Sequence, residues 1–263
     1  MMMDTDIDDA TARGVARCLR AFADQLGPRD KALFERVYTP PLSRYGDRLQ
    51  AIGFTGMDRV LDACCGFGQW TLRLAGLNRR VDGCDIAQVR ADIVNALARD
   101  LGADNVEAVR SRLETLPYED DTFDGVFCYV SLPCTPWKES LAEIYRVLKP
   151  GGRVYFTANG LGYFIQQWME EPHKTVHRSP RFFTALTLQN TLEYEKSGKS
   201  PDMGQIVIER DEMRAHLEAL GFTVAAMEDE GRIDLSGGAH PPVSFFPGQY
   251  HGLTCCYEVV AVK

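Results

Sequence analysis

The spacing of apolar residues divides the chain into a helical N-terminal part and a longer part that alternates between two periodicities. Over residues 8–26 apolar side chains recur at helical spacing, and Gly27-Pro28 predicts the end of that helix. A second, weaker helical pattern covers about residues 30–52. From residue 59 onward, short continuous apolar runs alternate with amphipathic helical stretches. This change of pattern predicts N-terminal helices followed by an α/β region.

The apolar runs after residue 58 predict the strands of one sheet. Strands separated by helices are typical of a doubly wound, mostly parallel sheet. The runs are continuous rather than alternating, which favours a sheet covered by helices on both faces. The predicted strands lie at residues 59–63, 81–86, 105–110, 124–130 and 152–158.

The alternation stops after Ala158, where a different kind of segment begins. Residues 160–204 have the pattern of two helices around the polar link EEPHKTVHRSP, and they carry several aromatic side chains. One interpretation is an extra helical layer that packs these aromatic rings. The other, which we favour, is a lid, because the segment starts from the edge at which doubly wound sheets bind ligands. A helical pattern at 209–222 and a strand pattern at the end close the chain.

The composition argues against several classes of partner. The formal net charge is −8, and an acidic surface repels the phosphates of nucleic acid. No apolar run approaches the roughly 18 residues that a membrane-spanning helix needs. The acidic N-terminus also has no apolar segment of the signal-peptide type. We therefore expect a cytoplasmic protein that binds neither nucleic acid nor membrane.

The eight cysteines of the chain do not have the spacing of a metal site. No CxxC or HxxxH pattern is present, and the side chains of the adjacent pair Cys64-Cys65 diverge on a strand or turn. A zinc site assembled from distant cysteines stays an alternative. In the cytoplasm we expect the cysteines to be reduced thiols and predict no metal.

The stretch DACCGFGQW, at residues 62–70, has the pattern of a nucleotide-binding turn. It follows the first predicted strand and precedes a helix, so backbone N–H groups and a helix N-terminus would face a ligand. The third glycine of the dinucleotide fingerprint is missing, because Thr71 stands there, and a phosphate loop is absent as well. Asp85, at the end of the second predicted strand, is placed to accept both hydroxyls of a ribose.

These residues resemble the class I S-adenosylmethionine-dependent methyltransferases. VLDACCGFG is similar to the first motif of that family, with Cys64 where its first glycine usually stands, and Asp85 matches its ribose-binding acid. LETLPYEDDTFDGVF (113–127) and ESLAEIYRVLKPGGRVYF (139–156) resemble two further family segments in the same order. The resemblance covers about residues 55–160 and implies S-adenosylmethionine as cofactor. It also implies a seven-stranded sheet, in which 223–229 and 257–263 fit the sixth and seventh strands.

The resemblance also implies how one methyltransferase domain would be organised over residues 1–263. We expect N-terminal helices and a helical insertion after the fifth strand. The predicted parts are an N-terminal helical cap at 1–54, a cofactor-binding core at 55–159, a helical lid at 160–204 and the C-terminal part of the sheet at 205–263.

Cofactor contacts are carried over from the family onto matching positions. Arg112 stands where the family usually has an acid near the adenine amino group, so we expect backbone groups and stacking on the guanidinium to hold the adenine. We expect Cys64 to keep φ below zero because it carries a Cβ, whereas glycine would tolerate either sign. Tyr38 and Tyr129 are candidates to cover the cofactor, although core packing is the alternative for each. The full set of predicted cofactor residues is Tyr38, Asp62, Ala63, Cys64, Gly66, Gly68, Asp85, Ile86, Arg112, Leu113 and Tyr129.

The acceptor is expected beyond the ends of the fourth and fifth strands. Methyl transfer from a sulfonium is an in-line displacement, which mainly requires orientation and the exclusion of water. Acceptors that lose a proton usually need a base, for which histidine is the commonest side chain. The candidates for this base are His173, His177 and His251, each of which could equally be an ordinary surface residue. The predicted acceptor-binding residues are Ser131, Trp137, Asn159, Tyr163 and Trp168.

Two classes of nucleic-acid methyltransferase can be compared with the segment after the fourth strand. Enzymes that methylate amino groups of bases carry Asn/Asp-Pro-Pro-Tyr/Phe there, where this chain has Ser131-Leu132-Pro133-Cys134. Cytosine carbon-5 enzymes place a nucleophilic cysteine after a proline, so Pro133-Cys134 is a match of two residues without the flanking signature. Neither class is favoured.

We therefore predict a metal-independent methyltransferase that uses S-adenosylmethionine to methylate oxygen or nitrogen of a small, partly apolar or aromatic metabolite. Three alternatives stay open. They are an inactive protein that binds the cofactor as a partner or sensor, a methyltransferase acting on RNA or protein, and a nicotinamide-dependent oxidoreductase. The oxidoreductase is disfavoured by the missing third glycine. A homodimer is compatible with the sequence.

Overall fold

The computed structural model describes residues 4–40, 42–176 and 178–263. Three helices precede the sheet: α1 (Asp4–Ala21), α2 (Pro28–Val37) and α3 (Leu42–Ala51). The weaker helical pattern predicted over 30–52 is thus two helices rather than one. Pro40 lies between them, and proline both lacks a backbone N–H and disfavours helical backbone in the residue before it.

Seven strands form one sheet in the order β3-β2-β1-β4-β5-β9-β6. Neighbours from β3 to β5 are parallel, whereas β9 runs antiparallel between β5 and β6. The predicted doubly wound, mostly parallel seven-stranded fold is confirmed. A short hairpin of two further strands, β7 and β8, stands outside this sheet. The strands are β1 (Val60–Ala63), β2 (Val81–Asp85), β3 (Val106–Arg110), β4 (Phe123–Cys128), β5 (Leu148–Asn159), β6 (Thr223–Asp229), β7 (Gln249–Tyr250), β8 (Leu253–Thr254) and β9 (Cys256–Val262).

Helices follow most of the parallel strands, as the alternating pattern predicts. Every residue of β1 and β2 is buried, which explains why their apolar runs are continuous. One boundary differs from the sequence pattern: β5 begins at Leu148, directly after helix α6 (Trp137–Val147), although Lys149-Pro150-Gly151-Gly152 has the pattern of a turn. A register shift between β4 and β5 accommodates this segment within the strand. The helices are α4 (Gln69–Ala75), α5 (Gln88–Asp100), α6 (Trp137–Val147), α7 (Leu161–Glu170), α8 (Pro180–Ser197) and α9 (Arg210–Leu220).

The segment after β5 contains two helices, α7 and α8, which pack against each other. Helix α8 is capped at its start, because the Ser179 hydroxyl accepts a hydrogen bond from the N–H of Phe182 at 3.2 Å. It ends at Gly198, whose φ of 68° suits glycine. Helix α7 also packs against the β7–β8 hairpin, so the insertion lies beside the end of β5.

The topology places a crevice between the carboxyl ends of β1 and β4. These strands are neighbours, and the chain order reverses between them, because β2 and β3 lie on one side and β5 on the other. Ligands of doubly wound sheets bind at such a switch point. The helices in the described part of the chain include none that is long and apolar enough to span a bilayer.

Candidate functional site

The turn between β1 and α4 has three residues in the left-handed backbone region, at Cys64, Gly66 and Gly68. A Cβ on Gly68 would lie 2.9 Å from Cγ2 of Val94, so close packing of the turn on α5 requires glycine there. A Cβ on Gly66 would meet nothing within 4 Å. The turn is therefore packed against α5 at Gly68 and open above Gly66, where a ligand can approach the backbone closely.

The expectation of a negative φ at Cys64 is wrong, because its φ is 62°. The cysteine thus adopts the backbone that a glycine of the family would adopt, at a strain of roughly 1–2 kcal/mol for a residue with a Cβ. Its hydrogen bond with the Cys128 thiol, together with burial, raises the pKa of the Cys64 thiol well above its ordinary value. The side chain is therefore a neutral thiol that fills the turn, not a reactive thiolate.

Asp85 ends β2 beside this turn, and it is 4% exposed. Its Oδ2 accepts a hydrogen bond from the N–H of Gly66 at 3.1 Å, and its Oδ1 accepts one from the N–H of Ala87 at 2.9 Å. Arg90 Nη1 lies 3.6 Å from Oδ2. Each carboxylate oxygen can accept more than one hydrogen bond, so the acid is oriented by its neighbours and retains capacity for ligand hydroxyls.

Helix α2 covers the glycine turn from the N-terminal side. The Phe34 ring stacks on Phe67 with centroids 4.7 Å apart, and the Tyr38 hydroxyl donates to the carbonyl oxygen of Phe67 at 2.8 Å. Arg90 joins this contact by binding Asp30 at 2.9 Å. Tyr38, which directly follows α2, therefore lies at the glycine turn.

Asp62 lies below the turn and connects β1 to α4. It is 2% exposed, and its Oδ2 accepts a hydrogen bond of 2.6 Å from the Thr71 hydroxyl. Burial raises the pKa of Asp62 to about 7, the Thr71 hydrogen bond opposes this, and the charge of Asp85 adds to it. Asp62 is thus a carboxyl that is costly to ionise in the folded protein.

The residues after β2 and β3 form the other side of the crevice. Ile86 is 55% exposed directly after Asp85, and Leu113 is buried. Arg112 is exposed, and its guanidinium forms an ion pair with Glu114. The guanidinium predicted to stack on an adenine therefore already has a carboxylate partner.

The donor and acceptor groups around the turn fit S-adenosylmethionine. A ribose diol supplies two donors for the Asp85 carboxylate, and the open space above Gly66 admits the cofactor next to the backbone. At the start of α4, Gln69 Oε1 is buried and has no hydrogen-bond partner among the described residues. An ammonium group such as that of the methionine part would supply the missing donor. The exposed face of Ile86 suits an adenine ring.

An aromatic wall extends from the crevice towards α7; it consists of Tyr129, Tyr163 and Phe246. Tyr129 follows β4, and its ring centroid lies 6.2 Å from that of Phe246. Phe246 in turn lies 6.4 Å from Tyr163 on α7, edge to face. Segments distant in sequence thus meet in one apolar surface beside the acceptor side of the crevice.

The Glu230 side chain connects Tyr129 with the loop that carries Phe246. The sequence pattern does not indicate this role of Glu230. The side chain is buried, and its Oε1 accepts the hydrogen bond of the Tyr129 hydroxyl at 2.8 Å. Its Oε2 accepts from the Ser244 hydroxyl and from the N–H groups of Phe245 and Phe246, at 2.8, 2.9 and 3.1 Å. One carboxylate therefore fixes both the end of β4 and the loop that carries Phe246.

The charge of Glu230 is balanced by Arg48, which projects from α3 and is fully buried. Arg48 also binds Glu258 on β9, and its Nη2 donates to the Tyr155 hydroxyl at 2.6 Å. Burial raises the pKa of Glu258, and the charge of Arg48 opposes that effect. A glutamate within the apolar strand CYEVVAV is the only sign of this network that the sequence offers.

The expected acceptor side of the crevice contains three of the predicted residues. It also contains Gln205, which the sequence did not single out, and Cys134, which the sequence singled out only as a match to cytosine carbon-5 enzymes. The Ser131 hydroxyl donates to the carbonyl oxygen of Tyr129 at 3.1 Å. Asn159, which ends β5 and is buried, donates to Gln205 Oε1 at 3.4 Å, and Gln205 donates to the Cys134 sulfur at 3.1 Å. Ser131 and Asn159, with Tyr163 of the aromatic wall, thus border this side, and Gln205 and Cys134 join them.

Other predicted residues lie elsewhere. Trp137 is a core side chain of α6, 1% exposed, with its ring 4.9 Å from that of His216 on α9. Trp168 is 43% exposed on α7 and pairs with Arg181. Neither is brought to the crevice.

The predicted general bases are not gathered at one point. His173 is exposed in the link between α7 and α8, and His251 is exposed in the β7–β8 turn with its ring against Tyr250. His177 lies outside the described residues. Among the residues that are described, no group of three or more His, Cys, Asp or Glu side chains is arranged to hold a metal ion.

A comparison with known sequences gives a family match to the segment that contains the glycine turn. The family model described as "Methyltransferase domain" matches residues 60–152. Demethylmenaquinone methyltransferase of Lactococcus lactis subsp. lactis is 37% identical over 117 residues, which are 43% of this chain and 44% of that protein. The corresponding protein of Bacillus subtilis is 34% identical over 100 residues, 36% of this chain and 43% of that protein. The chain therefore spans less than half the length of these curated relatives.

Solved structures match over most of the chain. A geranyl diphosphate methyltransferase in complex with S-adenosylmethionine matches with a TM-score of 0.57 at 17% identity, covering 84% of this chain and 85% of that one. The [4+2]-cyclase SpnF matches with a TM-score of 0.56 at 20% identity, covering 85% and 80%. These likenesses concern the fold.

The matches confirm the family resemblance. Residues 60–152 match a methyltransferase domain, and the whole sheet has the fold of the class I S-adenosylmethionine-dependent methyltransferases. The cofactor of this family is S-adenosylmethionine, as the motifs around Asp85 predict.

Proposed function

We propose that the protein transfers a methyl group from S-adenosylmethionine to an oxygen or nitrogen atom of a small, partly apolar or aromatic molecule. The observation that carries this proposal is the position of the aromatic wall at the edge of the sheet that also carries the glycine turn and Asp85. An acceptor on Tyr129, Tyr163 and Phe246 would be adjacent to a cofactor held at Asp85.

The cofactor, when bound, supplies a methyl group on a positively charged sulfonium, and the products are the methylated acceptor, S-adenosylhomocysteine and a proton where the acceptor atom carried one. The chain's own contribution is orientation. Asp85 and the turn above Gly66 would fix the nucleoside, and aromatic faces such as that of Tyr129 suit a neighbouring cation. Helix α2 and the aromatic wall would exclude water from two sides, which strengthens electrostatic contacts within the crevice.

A quinone or phenol is a specific candidate for the acceptor. The curated relatives are named demethylmenaquinone methyltransferases, and their similarity supports an acceptor with an aromatic ring. For such an acceptor the methyl group could go to carbon rather than to oxygen. The family match ends at residue 152, so it includes Tyr129 and Ser131 but neither α7 nor the loop with Phe246.

The remaining predicted roles belong to this proposal as well. His173, His177 and His251 are candidate general bases, of which one would need to approach the acceptor from the link or the hairpin turn. We place the reaction in the cytoplasm, where the eight cysteines would stay reduced. A cofactor-binding partner without methyl transfer is the second candidate function, because SpnF shares the fold and is named as a cyclase rather than as a methyltransferase.

The proposal is tested with S-adenosylmethionine carrying a labelled methyl group. The purified protein is incubated with it and either a mixture of quinols and phenols or a protein-free, RNA-free cell extract. We expect label in the organic-extractable small molecules, and much less with the variant Asp85→Asn. Parallel incubations contain RNA or protein from the same cells. Label only in that RNA or protein, or no transfer in spite of cofactor binding, would contradict the proposal and favour one of the alternatives.

A further inference from the structure

Three arginines near the acceptor side have no carboxylate partner among the described residues. Arg29 and Arg36 lie on α2 and are exposed, and Arg178 lies just before α8 and is half-buried. The neighbouring cations differ, because Arg90 pairs with Asp30, and Arg181 and Lys174 both pair with Glu171. Asp30 and Glu171 are thus bound to other cations, and these three guanidinium groups form no ion pair in the described part of the chain.

Arg178 is held in place by neutral groups. Its Nη2 donates to Gln167 Oε1 at 3.0 Å, and its Nη1 donates to the carbonyl oxygen of Pro172. Gln167 is buried and lies four residues after Tyr163 on α7, so both side chains share one face of that helix. The guanidinium therefore lies along the face of α7 that carries the Tyr163 end of the aromatic wall.

The positive charges of α2 also act on Arg178 and Tyr163. Burial lowers the pKa of Arg178, Tyr163 opposes that shift, and the positive charges of Arg36 and Arg29 add to it. The pKa of Tyr163 is raised by burial, and Arg178 and Arg36 both oppose that shift. The charges of Arg36 on α2 and of Arg178 in the link before α8 therefore both act on Tyr163. Like charges that converge in a partly buried place cost free energy unless an anion joins them.

We propose that Arg178, with Arg36 and Arg29, forms an anion subsite of the acceptor space and takes a carboxylate or phosphate group of the acceptor. The apolar or aromatic body of the same molecule lies against Tyr163 and Phe246. A fork of guanidinium donors matches both kinds of anion. The methylation of this acceptor rests on the proposed function, whereas the binding of the anion does not.

The subsite is tested by calorimetry with three ligands of matched shape: 1-naphthoate, 1-naphthyl phosphate and neutral 1-naphthamide. Each is titrated into the protein with and without saturating S-adenosylhomocysteine at low ionic strength. We expect at least one of the two anions to bind about tenfold more tightly than the amide, the difference that charged hydrogen bonds provide. The relative affinity of carboxylate and phosphate identifies which anion the subsite prefers.

Variants assign the preference to the arginines. Arg178→Gln should remove most of the anion preference and leave amide binding unchanged, whereas Arg178→Lys should retain part of it. Arg36→Gln, at an exposed position, gives a smaller loss in the same direction and guards against a folding defect. The matched control is Arg214→Gln on α9, which should keep the full preference.

The outcomes separate the two proposals. Equal affinity for the anions and the amide, no measurable binding of either anion at millimolar concentration, or an anion preference that survives both Arg178→Gln and Arg36→Gln would overturn the subsite. An anion preference in a protein that does not bind S-adenosylhomocysteine would support the subsite and contradict methyl transfer. Binding of S-adenosylhomocysteine without an anion preference would overturn the subsite and leave the proposed methyl transfer standing.

Discussion

The Tyr129 hydroxyl donates a hydrogen bond of 2.8 Å to Oε1 of Glu230, a residue 101 positions further along the chain. The contact joins the end of a central strand to the loop that completes the aromatic wall. Because the same carboxylate accepts from the N–H groups of Phe245 and Phe246, the wall depends on one buried charge. Glu230 is therefore a positioning residue for the aromatic wall.

Replacing Glu230 should loosen this arrangement. In Glu230→Gln an amide N–H₂ would face either the three donors at Oε2 or the Arg48 guanidinium, so at least one buried donor loses its acceptor. We expect the free energy of unfolding in urea to fall by about 3 kcal/mol, as for other broken buried ion pairs. The matched control is Glu228→Gln, an exposed side chain on β6, for which we expect a change within about 0.5 kcal/mol.

A double-mutant cycle isolates the hydrogen bond itself. Tyr129→Phe removes only the hydroxyl and should cost about 1 kcal/mol in the wild-type background. In the Glu230→Gln background the same change should cost clearly less, because the charged acceptor is already gone. Strictly additive losses would mean that the two side chains are not coupled, contrary to the structure.

The buried carboxyl of Asp62 gives a prediction on pH. The pKa of Asp62 is raised to about 7 in the folded protein, so the folded state binds this proton more tightly than the unfolded state. Stability should therefore fall as pH rises from the ordinary carboxyl pKa to about 7, and level off above it. The full effect of a shift of this size is up to about 4 kcal/mol.

Asp62→Asn removes this titration, and its carbonyl oxygen can still accept from Thr71. Relative to Asp62→Asn, the wild type should lose stability between about pH 4 and about pH 7, as measured by urea unfolding. The exposed control Asp104→Asn should run parallel to the wild type. If the curves of wild type and Asp62→Asn are also parallel, the carboxyl does not titrate in this range.

The backbone of Cys64 predicts an unusual order of stability. At a φ of 62° a Cβ is unfavourable, so Cys64→Gly should be more stable than Cys64→Ala by about 1 kcal/mol. Both variants lack the thiol, and their comparison therefore excludes the contact with Cys128. An alanine variant as stable as the glycine variant in thermal unfolding would show that the turn is not left-handed at this position.

The sheet could be predicted from the sequence because its parallel strands are buried on both faces and read as continuous apolar runs. The glycine turn and the position of Asp85 beside it could be predicted, because strand, turn and helix follow one another within a short segment. The network of Arg48, Glu230 and Glu258 could not, since its members come together only after α3, β6 and β9 have packed. The negative φ predicted for Cys64 is also wrong, because the turn adopts left-handed backbone at this position in spite of the cost of a Cβ.

The predicted aromatic residues show the same limit. Trp137 and Tyr163 look equivalent in the sequence, as aromatic side chains that follow a strand. The structure buries Trp137 between α6 and α9, whereas Tyr163 faces Phe246. Which face of a helix meets the crevice depends on how α6 and α7 pack, and the local pattern does not contain that information.

The central claim, that the crevice at Asp85 binds the cofactor of the family, is tested most directly by calorimetry with S-adenosylhomocysteine. Three proteins are compared: the wild type, Asp85→Asn, and Asp104→Asn as a surface control. We predict saturable one-to-one binding by the wild type and the control, and an affinity at least about tenfold lower for Asp85→Asn, because two charged hydrogen bonds to the ribose are weakened. No binding by the wild type, or an unchanged affinity in Asp85→Asn, would contradict the account.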